Sequence, residues 1–271
     1  MTSSFSIRRM LVALDLSTAA RSSLPEALRL ATRLHAQAEG LFVEDARLMA
    51  ICMGEGLPSR HVSWVTGQSE TLDSSAMEAG LRAQSAMLSR HVSTTATALR
   101  CECSLRIVRG IVAETLVAET DRDDLLVLSR RPGHVGAVLA ATVRRVSAPV
   151  LILPPGENPG EGRILVLADT VGFVEHGLAA ARRFRNDSDR RVELVLSPTV
   201  AVTEAERLAQ AIGLPVRITV AGDGTDLADC IPSDTGLVIV SPENAALSEA
   251  RLTRFLENVS TSVLLMNQQP G

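Results

Sequence analysis

The side chains best suited to hold a ligand lie at the ends of two apolar runs. Asp15 follows residues 10–14, and Ser129 with Arg130 ends the run that begins at residue 124. A carboxylate can bind ribose hydroxyls or a metal ion, and an arginine can bind an anionic group. Ligands bind at the carboxyl ends of the strands in open α/β sheets, so these residues predict one site. The alternative for Asp15 is a structural role at a helix start, beside the positive end of the helix dipole.

The segment after the second run combines glycines with positive charge. Gly133 and Gly136 would let backbone N–H groups approach phosphate oxygens. Arg130, Arg131 and His134 would place positive charge beside the amino end of the next helix, where anions bind. The alternative interpretation is a solvated basic loop that binds no ligand.

The composition of the chain excludes several kinds of catalytic and binding function. The chain has 271 residues, 46% of them hydrophobic, which is ample for a packed core. Its net charge is -4, divided as +2 over residues 1–155 and -6 over residues 156–271, and neither value is typical of a nucleic-acid-binding protein. There is no lysine and no tyrosine, which excludes lysine Schiff-base chemistry and tyrosine phosphorylation.

The cysteines and the amino-terminal segment favour a reduced, cytoplasmic protein. The four cysteines lack the spacing of a metal finger and are interpreted as structural thiols: Cys52, Cys101, Cys103 and Cys230. Arg8 and Arg9 precede an apolar run of five residues, too short for a signal peptide or a membrane span. The sequence therefore predicts no membrane partner.

Apolar runs alternate with helical patterns five times before residue 154, which predicts an α/β fold with an open parallel sheet and right-handed crossovers. The predicted strands of this half are residues 10–14, 41–43, 105–108, 124–129 and 150–153. Residues 154–162 are rich in Pro and Gly and indicate a linker, after which the pattern restarts. The predicted division is a first domain of residues 1–155, a linker of residues 156–162 and a second domain of residues 163–271.

The second half of the chain repeats segments of the first. Residues 9–15 are echoed by 163–169, and residues 146–153 by 259–266. These echoes predict two copies of one domain, the first of which is longer by 41 residues, most of them between its second and third strands. Residues 46–75, together with the long helix that follows, are therefore a candidate lid or contact surface.

Several segments resemble the universal stress protein family. They are the strand-Asp-x-Ser opening at Asp15 and Ser17, the strand end at Gly110, and the helix-Ala-Pro-Val strand at residues 148–150. Residues 41–45 and 47–49 also resemble a bacterial tandem subgroup of that family. The resemblance implies two open parallel-sheet domains of strand order 3-2-1-4-5, which together imitate the dimer of single-domain members.

The resemblance also implies a nucleotide site. Nucleotide-binding members hold ATP with an aspartate after strand one, backbone near the end of strand two, and a Gly-x2-Gly-x9-Gly-Ser/Thr motif after strand four. Asp15, Val43 and Gly110 match positions near that site, and together with Ser129, Arg130, Gly133 and Gly136 they are the candidate binding residues. The motif is incomplete, because its third glycine falls on Val146. In the second copy, Ser241 to Asn244 includes Glu243 and no glycine, so no nucleotide is expected there.

These features predict a tandem universal stress protein that is not an enzyme beyond slow nucleotide hydrolysis, and that acts as a stress-response binding or regulatory module without a complete phosphate loop. An ATP- or AMP-binding protein that uses Arg130 and Arg131 is the alternative. A third alternative is an adenine nucleotide alpha hydrolase-like enzyme, disfavoured by the incomplete loop and the lack of lysine. Residues 150–153 and 263–266 are expected to pair, within the chain or in a homodimer.

Overall fold

The computed structural model describes most of the chain, namely residues 5–15, 17–47, 60–62, 69–71, 74–130, 137–156, 158–159, 161–185, 189–222, 227–247 and 249–267. The first half contains β1 (Arg9–Leu14), α1 (Thr18–Leu34), β2 (Gln37–Asp45), β3 (Arg60–Val62), β4 (Ser69–Thr71), α2 (Ser74–Leu99), β5 (Cys103–Gly110), α3 (Val112–Ala118), β6 (Asp124–Ser129), α4 (Ala137–Arg145) and β7 (Val150–Leu153). The second half contains β8 (Arg163–Ala168), α5 (Val171–Arg185), β9 (Val192–Leu196), α6 (Val202–Ile212), β10 (Val216–Val220), a 3-10 turn (Leu227–Cys230), β11 (Thr235–Val240), α7 (Glu249–Asn258) and β12 (Ser262–Leu265).

Ten strands form one sheet in the order β10-β9-β8-β11-β12-β7-β6-β1-β2-β5. Read from each outer edge inward, both halves have the predicted order 3-2-1-4-5, and pairing within each half is parallel. The halves meet through an antiparallel pair, β7 with β12, in which Leu264 lies opposite Leu151. The predicted edge pairing therefore occurs within the chain and joins the two sheets into one.

The insertion contains structure that the sequence pattern did not predict. β3 and β4 pair antiparallel as a separate two-stranded sheet within residues 46–75. Most of the predicted lid segment lies outside the described residues. Of the part of the chain that the structure describes, no helix is long and apolar enough to cross a membrane.

The apolar core is arranged as two layers, one on each face of the sheet. One layer packs beneath α1, α2, α5 and α6, and its largest buried side chains include Leu28, Phe173 and Phe184. The other packs beneath α3, α4, α7 and the 3-10 turn, with Phe255 among its members. Each layer contains residues from both halves of the chain, because β7 and β12 contribute alternate side chains to both faces.

An ion-pair arrangement recurs in the two halves and supports their common origin. Arg9, in β1, binds Glu39 of β2 with 2.9 Å between Nη1 and Oε2, and Arg163, in β8, binds Glu193 of β9 at 2.6 Å. Arg9 also binds Asp124 at the start of β6, and Arg163 binds Asp234 just before β11.

Helix ends from the two halves cap each other on one face of the sheet. Arg33, in the last turn of α1, donates to the Phe184 carbonyl at the end of α5 at 3.3 Å. Arg183, in the last turn of α5, donates to the Leu34 carbonyl at the end of α1. A positive side chain is favourable at a helix C-terminus, where carbonyls lack partners. These reciprocal contacts therefore stabilise the junction of the halves.

Candidate functional site

A cavity of about 370 Å³ lies at the carboxyl ends of β1, β2 and β6. β1 and β6 are neighbours in the sheet, and the chain leaves them on opposite sides, so the cavity occupies the point where the strand order reverses. Its walls are mostly apolar, from Leu41, Phe42, Leu116, Leu128, Leu139 and their neighbours. Its polar lining consists of Asp15, Ser17, Ser129 and Arg130.

Asp15 is positioned by the turn that joins β1 to α1. Its Oδ1 accepts a hydrogen bond from the Ser17 backbone N–H at 2.8 Å, and Ser17 Oγ accepts from the Ala20 N–H at 3.1 Å as the N-cap of α1. Oδ2 of Asp15 has no partner among the described residues, and the side chain is exposed. Asp15 therefore combines the predicted structural role with an acceptor that a ligand donor can reach.

Ser129, the last residue of β6, is held by a second hydroxyl group. Its Oγ lies 2.6 Å from Oγ of Ser23, a buried residue of α1. Either hydroxyl can be the donor in this pair, and Ser23 Oγ also lies 3.2 Å from the Ala20 carbonyl, to which it can donate. Whichever serine donates, the Ser129 oxygen keeps a lone pair that can accept a hydrogen bond from a ligand in the cavity. The sequence did not predict Ser23 as part of this site. Ser23 lies six residues after the N-cap Ser17, on a later turn of α1.

Arg130 lies at the predicted position, but its guanidinium is engaged by the other half of the chain. The residue is only 3% exposed, and it donates to the Leu256 and Val259 carbonyls at the end of α7. Burial lowers the pKa of this guanidinium. Its two terminal nitrogens therefore cap a helix, and Nε is the one guanidinium nitrogen with no acceptor among the described residues.

The other predicted binding residues are distributed as follows. Val43 lines the cavity with Asp15, Ser129 and Arg130. Gly110 ends β5 opposite Asp45 and does not line the cavity. A Cβ at Gly110 would lie 2.3 Å from Oγ1 of Thr115, which gives this glycine a packing reason. Gly133 and Gly136, with Arg131 and His134, lie outside the described residues.

The equivalent position in the second half is occupied by the chain itself. Oδ2 of Asp169 accepts the Ala245 backbone N–H at 2.7 Å, so the turn after β11 folds onto the carboxylate. Thr170, rather than Asp169, accepts the Phe173 N–H at the start of α5. That no nucleotide binds in this half stays a prediction.

A larger groove of about 1420 Å³ lies at the opposite, amino ends of β1, β2 and β5. It includes Cys101 and Cys103, both free thiols, and burial raises the pKa of Cys103 to about 11. Such a thiol is protonated and unreactive at neutral pH. Among the described residues, no group of three metal-ligating side chains could hold an ion. The smaller cavity is the better ligand site, since it lies at the carboxyl ends of the strands and its polar groups converge.

Comparison with solved structures identifies the fold. A universal stress protein from Archaeoglobus fulgidus DSM 4304 is 12% identical in sequence and matches with a TM-score of 0.68 over 98% of both chains. The chain has the universal stress protein fold. A functionally unknown protein from Pseudomonas aeruginosa PAO1 matches with 15% identity and a TM-score of 0.56, over 97% of this chain and 93% of that one. A candidate universal stress protein from Pseudomonas aeruginosa UCBPP-PA14 matches with 15% identity and a TM-score of 0.54, over 96% and 93%.

The likeness to these solved structures lies in the fold, since only 12–15% of the aligned residues are identical. No family model matches the chain, and no curated protein is similar enough to match. The match over 98% of the Archaeoglobus chain includes both halves. The fold predicted from the resemblance is therefore confirmed.

Proposed function

We propose that this chain is a tandem universal stress protein, with domains at residues 1–155 and 163–271, that acts as a stress-response binding module rather than an enzyme. The observation that carries the proposal is the cavity of the first half, which brings Asp15, Val43 and Ser129 together at the carboxyl edge of the sheet. Apolar walls with a few convergent polar groups are typical of a small-molecule site. Its volume of about 370 Å³ suits a nucleoside-sized ligand.

The ligand class follows from the polar groups. Asp15 and Ser129 both present acceptors, which suit the hydroxyl and amino donors of an adenine nucleoside. A triphosphate needs several donors, whereas Arg130 has two nitrogens committed to α7 and the glycine motif is incomplete. We therefore favour ATP or AMP as ligands bound mainly through the nucleoside, without a grip on the β- and γ-phosphates.

Titration calorimetry on the full chain tests this function. We expect adenosine, AMP and ATP to release heat, with ATP binding no more tightly than AMP. Asp15→Asn should weaken all three by about tenfold, because a charge-assisted acceptor is replaced by a neutral amide. Asp169→Asn is the matched control and should leave the affinities unchanged. Absence of heat and of thermal stabilisation with every probe at millimolar concentration would eliminate the nucleoside site.

A further inference from the structure

The outer strand of the second half, β10, has one side that pairs with no other strand of the described residues. β10 ends the ten-stranded sheet, and its neighbour there is β9. The Ala221 N–H, just after β10, donates to the Leu196 carbonyl of β9 at 2.8 Å. Because backbone groups of successive residues point to opposite sides of a strand, Arg217 and Thr219 also bond to β9. The remaining residues of β10 direct their N–H and C=O groups outward: Val216, Ile218 and Val220.

The sequence of β10 is complementary to itself in the antiparallel direction. A twofold axis through Ile218 would place Val216 of one copy opposite Val220 of a second, and Arg217 opposite Thr219, so that no like charges meet. In this register every outward N–H and C=O group meets an outward partner group. Val220, which is 50% exposed, would be covered by Val216 of the second copy.

The strand at the opposite edge of the sheet, β5, lacks this complementarity. A twofold axis at Arg106 would bring two arginines together, and an axis at Ile107 would set Arg109 opposite Leu105. Charged side chains on an edge strand discourage pairing with another strand. A second copy of the chain therefore fits β10 better than it fits β5.

We propose that β10 is a homodimer interface, at which the β10 strands of two copies pair antiparallel about Ile218 and join two ten-stranded sheets into one. The halves of one chain already meet through an antiparallel pair, β7 with β12, so the dimer would repeat between chains the kind of pairing found within one. Small interfaces are weak and transient, so we expect a dissociation constant on the order of 100 µM. The chain is then a monomer at the low micromolar concentration of a thermal melt.

Sedimentation equilibrium at chain concentrations of about 5–500 µM tests the pairing. The mass of the wild type should rise from that of one chain, 28.8 kDa, towards twice that value. Thr219→Arg should weaken association at least about tenfold, because it sets an arginine opposite Arg217 of the other copy. Adding Arg217→Glu to Thr219→Arg should restore association, since opposite charges then face each other. Ile107→Arg, on β5, is the matched control and should associate like the wild type.

Amide hydrogen exchange on the wild type gives a test that does not depend on a variant that folds. The outward amide of Ile218 should exchange about fourfold more slowly at about 500 µM than at about 5 µM, in proportion to the fraction of monomer. The amides of Arg217 and Thr219 point to β9 and should be protected at both concentrations.

A wild type that stays monomeric at every concentration would overturn the inference. Association that survives Thr219→Arg, or that Ile107→Arg abolishes, would place the contact elsewhere and overturn it as well. Exchange at Ile218 that does not depend on concentration, or a double variant that fails to associate, would overturn the proposed register.

Discussion

Two arginines with the same place in the two halves differ in the burial of their partners. Asp124, the partner of Arg9, is fully buried, and Arg9 Nε donates to its Oδ1 at 3.1 Å. The hydrogen bond with Asp124 raises the pKa of Arg9. Asp234, the partner of Arg163, keeps 59% of its side chain exposed. Because water can replace a partner for an exposed carboxylate but not for a buried one, the two arginines should contribute unequally to stability.

Arg9→Gln should therefore destabilise the protein by about 3 kcal/mol, since it leaves the Asp124 carboxylate buried without its cation. Arg163→Gln is the matched control, and it should lower the free energy of unfolding by a clearly smaller amount. Urea unfolding followed by circular dichroism measures both as a shift of the midpoint. Equal losses in the two variants would show that burial of the aspartate does not decide the effect.

The position of Arg130 could be predicted from the sequence, and its partners could not. A buried run that ends at Ser129 places the next residue at the carboxyl edge of the sheet, which the structure confirms. The direction of the guanidinium depends on α7, because the Leu256 carbonyl lies 126 residues further along the chain. No local pattern specifies such a contact. The spacing of Arg9 and Glu39, by contrast, recurs in Arg163 and Glu193 and was a readable signal of duplication.

At the level of elements, the segment between the halves is hydrogen-bonded to the second half through its described residues. Its composition predicts a linker, and the structure shows that Arg190 donates to three of its carbonyls, those of Pro159, Glu161 and Gly162. Burial, together with the positive charge of the neighbouring Arg33, lowers the pKa of Arg190 to about 10. The segment also lies against β11, where a Cβ at Gly236 would be 1.8 Å from the Glu161 carbonyl oxygen.

Gly236→Ala should destabilise the protein by about 1–3 kcal/mol, because the new methyl group forces the segment away from β11. Gly80→Ala is the matched control, since Gly80 lies in α2 and no atom lies within 4 Å of an added Cβ. Alanine there should raise the free energy of unfolding by about 0.5–1 kcal/mol through its higher helix propensity. Thermal melts should show a lower transition temperature than wild type for Gly236→Ala and a higher one for Gly80→Ala. A neutral Gly236→Ala would mean that the segment is free to move.

At the scale of the whole molecule, the repeat predicts two domains, and the packing predicts one folding unit. The alternation of strands and helices with right-handed crossovers could be predicted from the sequence pattern, and the strand order from the resemblance to the universal stress protein family. Whether the two halves unfold cooperatively could not be predicted from the sequence, because that depends on the two core layers that run through β7 and β12. Leu151 and Leu264 are both fully buried at that junction. Neither half can therefore unfold without exposing an apolar edge of the other.

The wild-type chain should accordingly unfold in a single calorimetric transition, with equal calorimetric and van't Hoff enthalpies. Leu264→Arg places a charge in the buried pair of β12 with β7, so it should lower the transition temperature by at least about 10 °C or separate the transition into two. Val220→Arg is the control: Val220 lies on the edge strand β10 and is 50% exposed, so its melt should stay close to wild type. Two transitions in the wild type, or an unchanged melt for Leu264→Arg, would mean that the halves are independent domains that only touch.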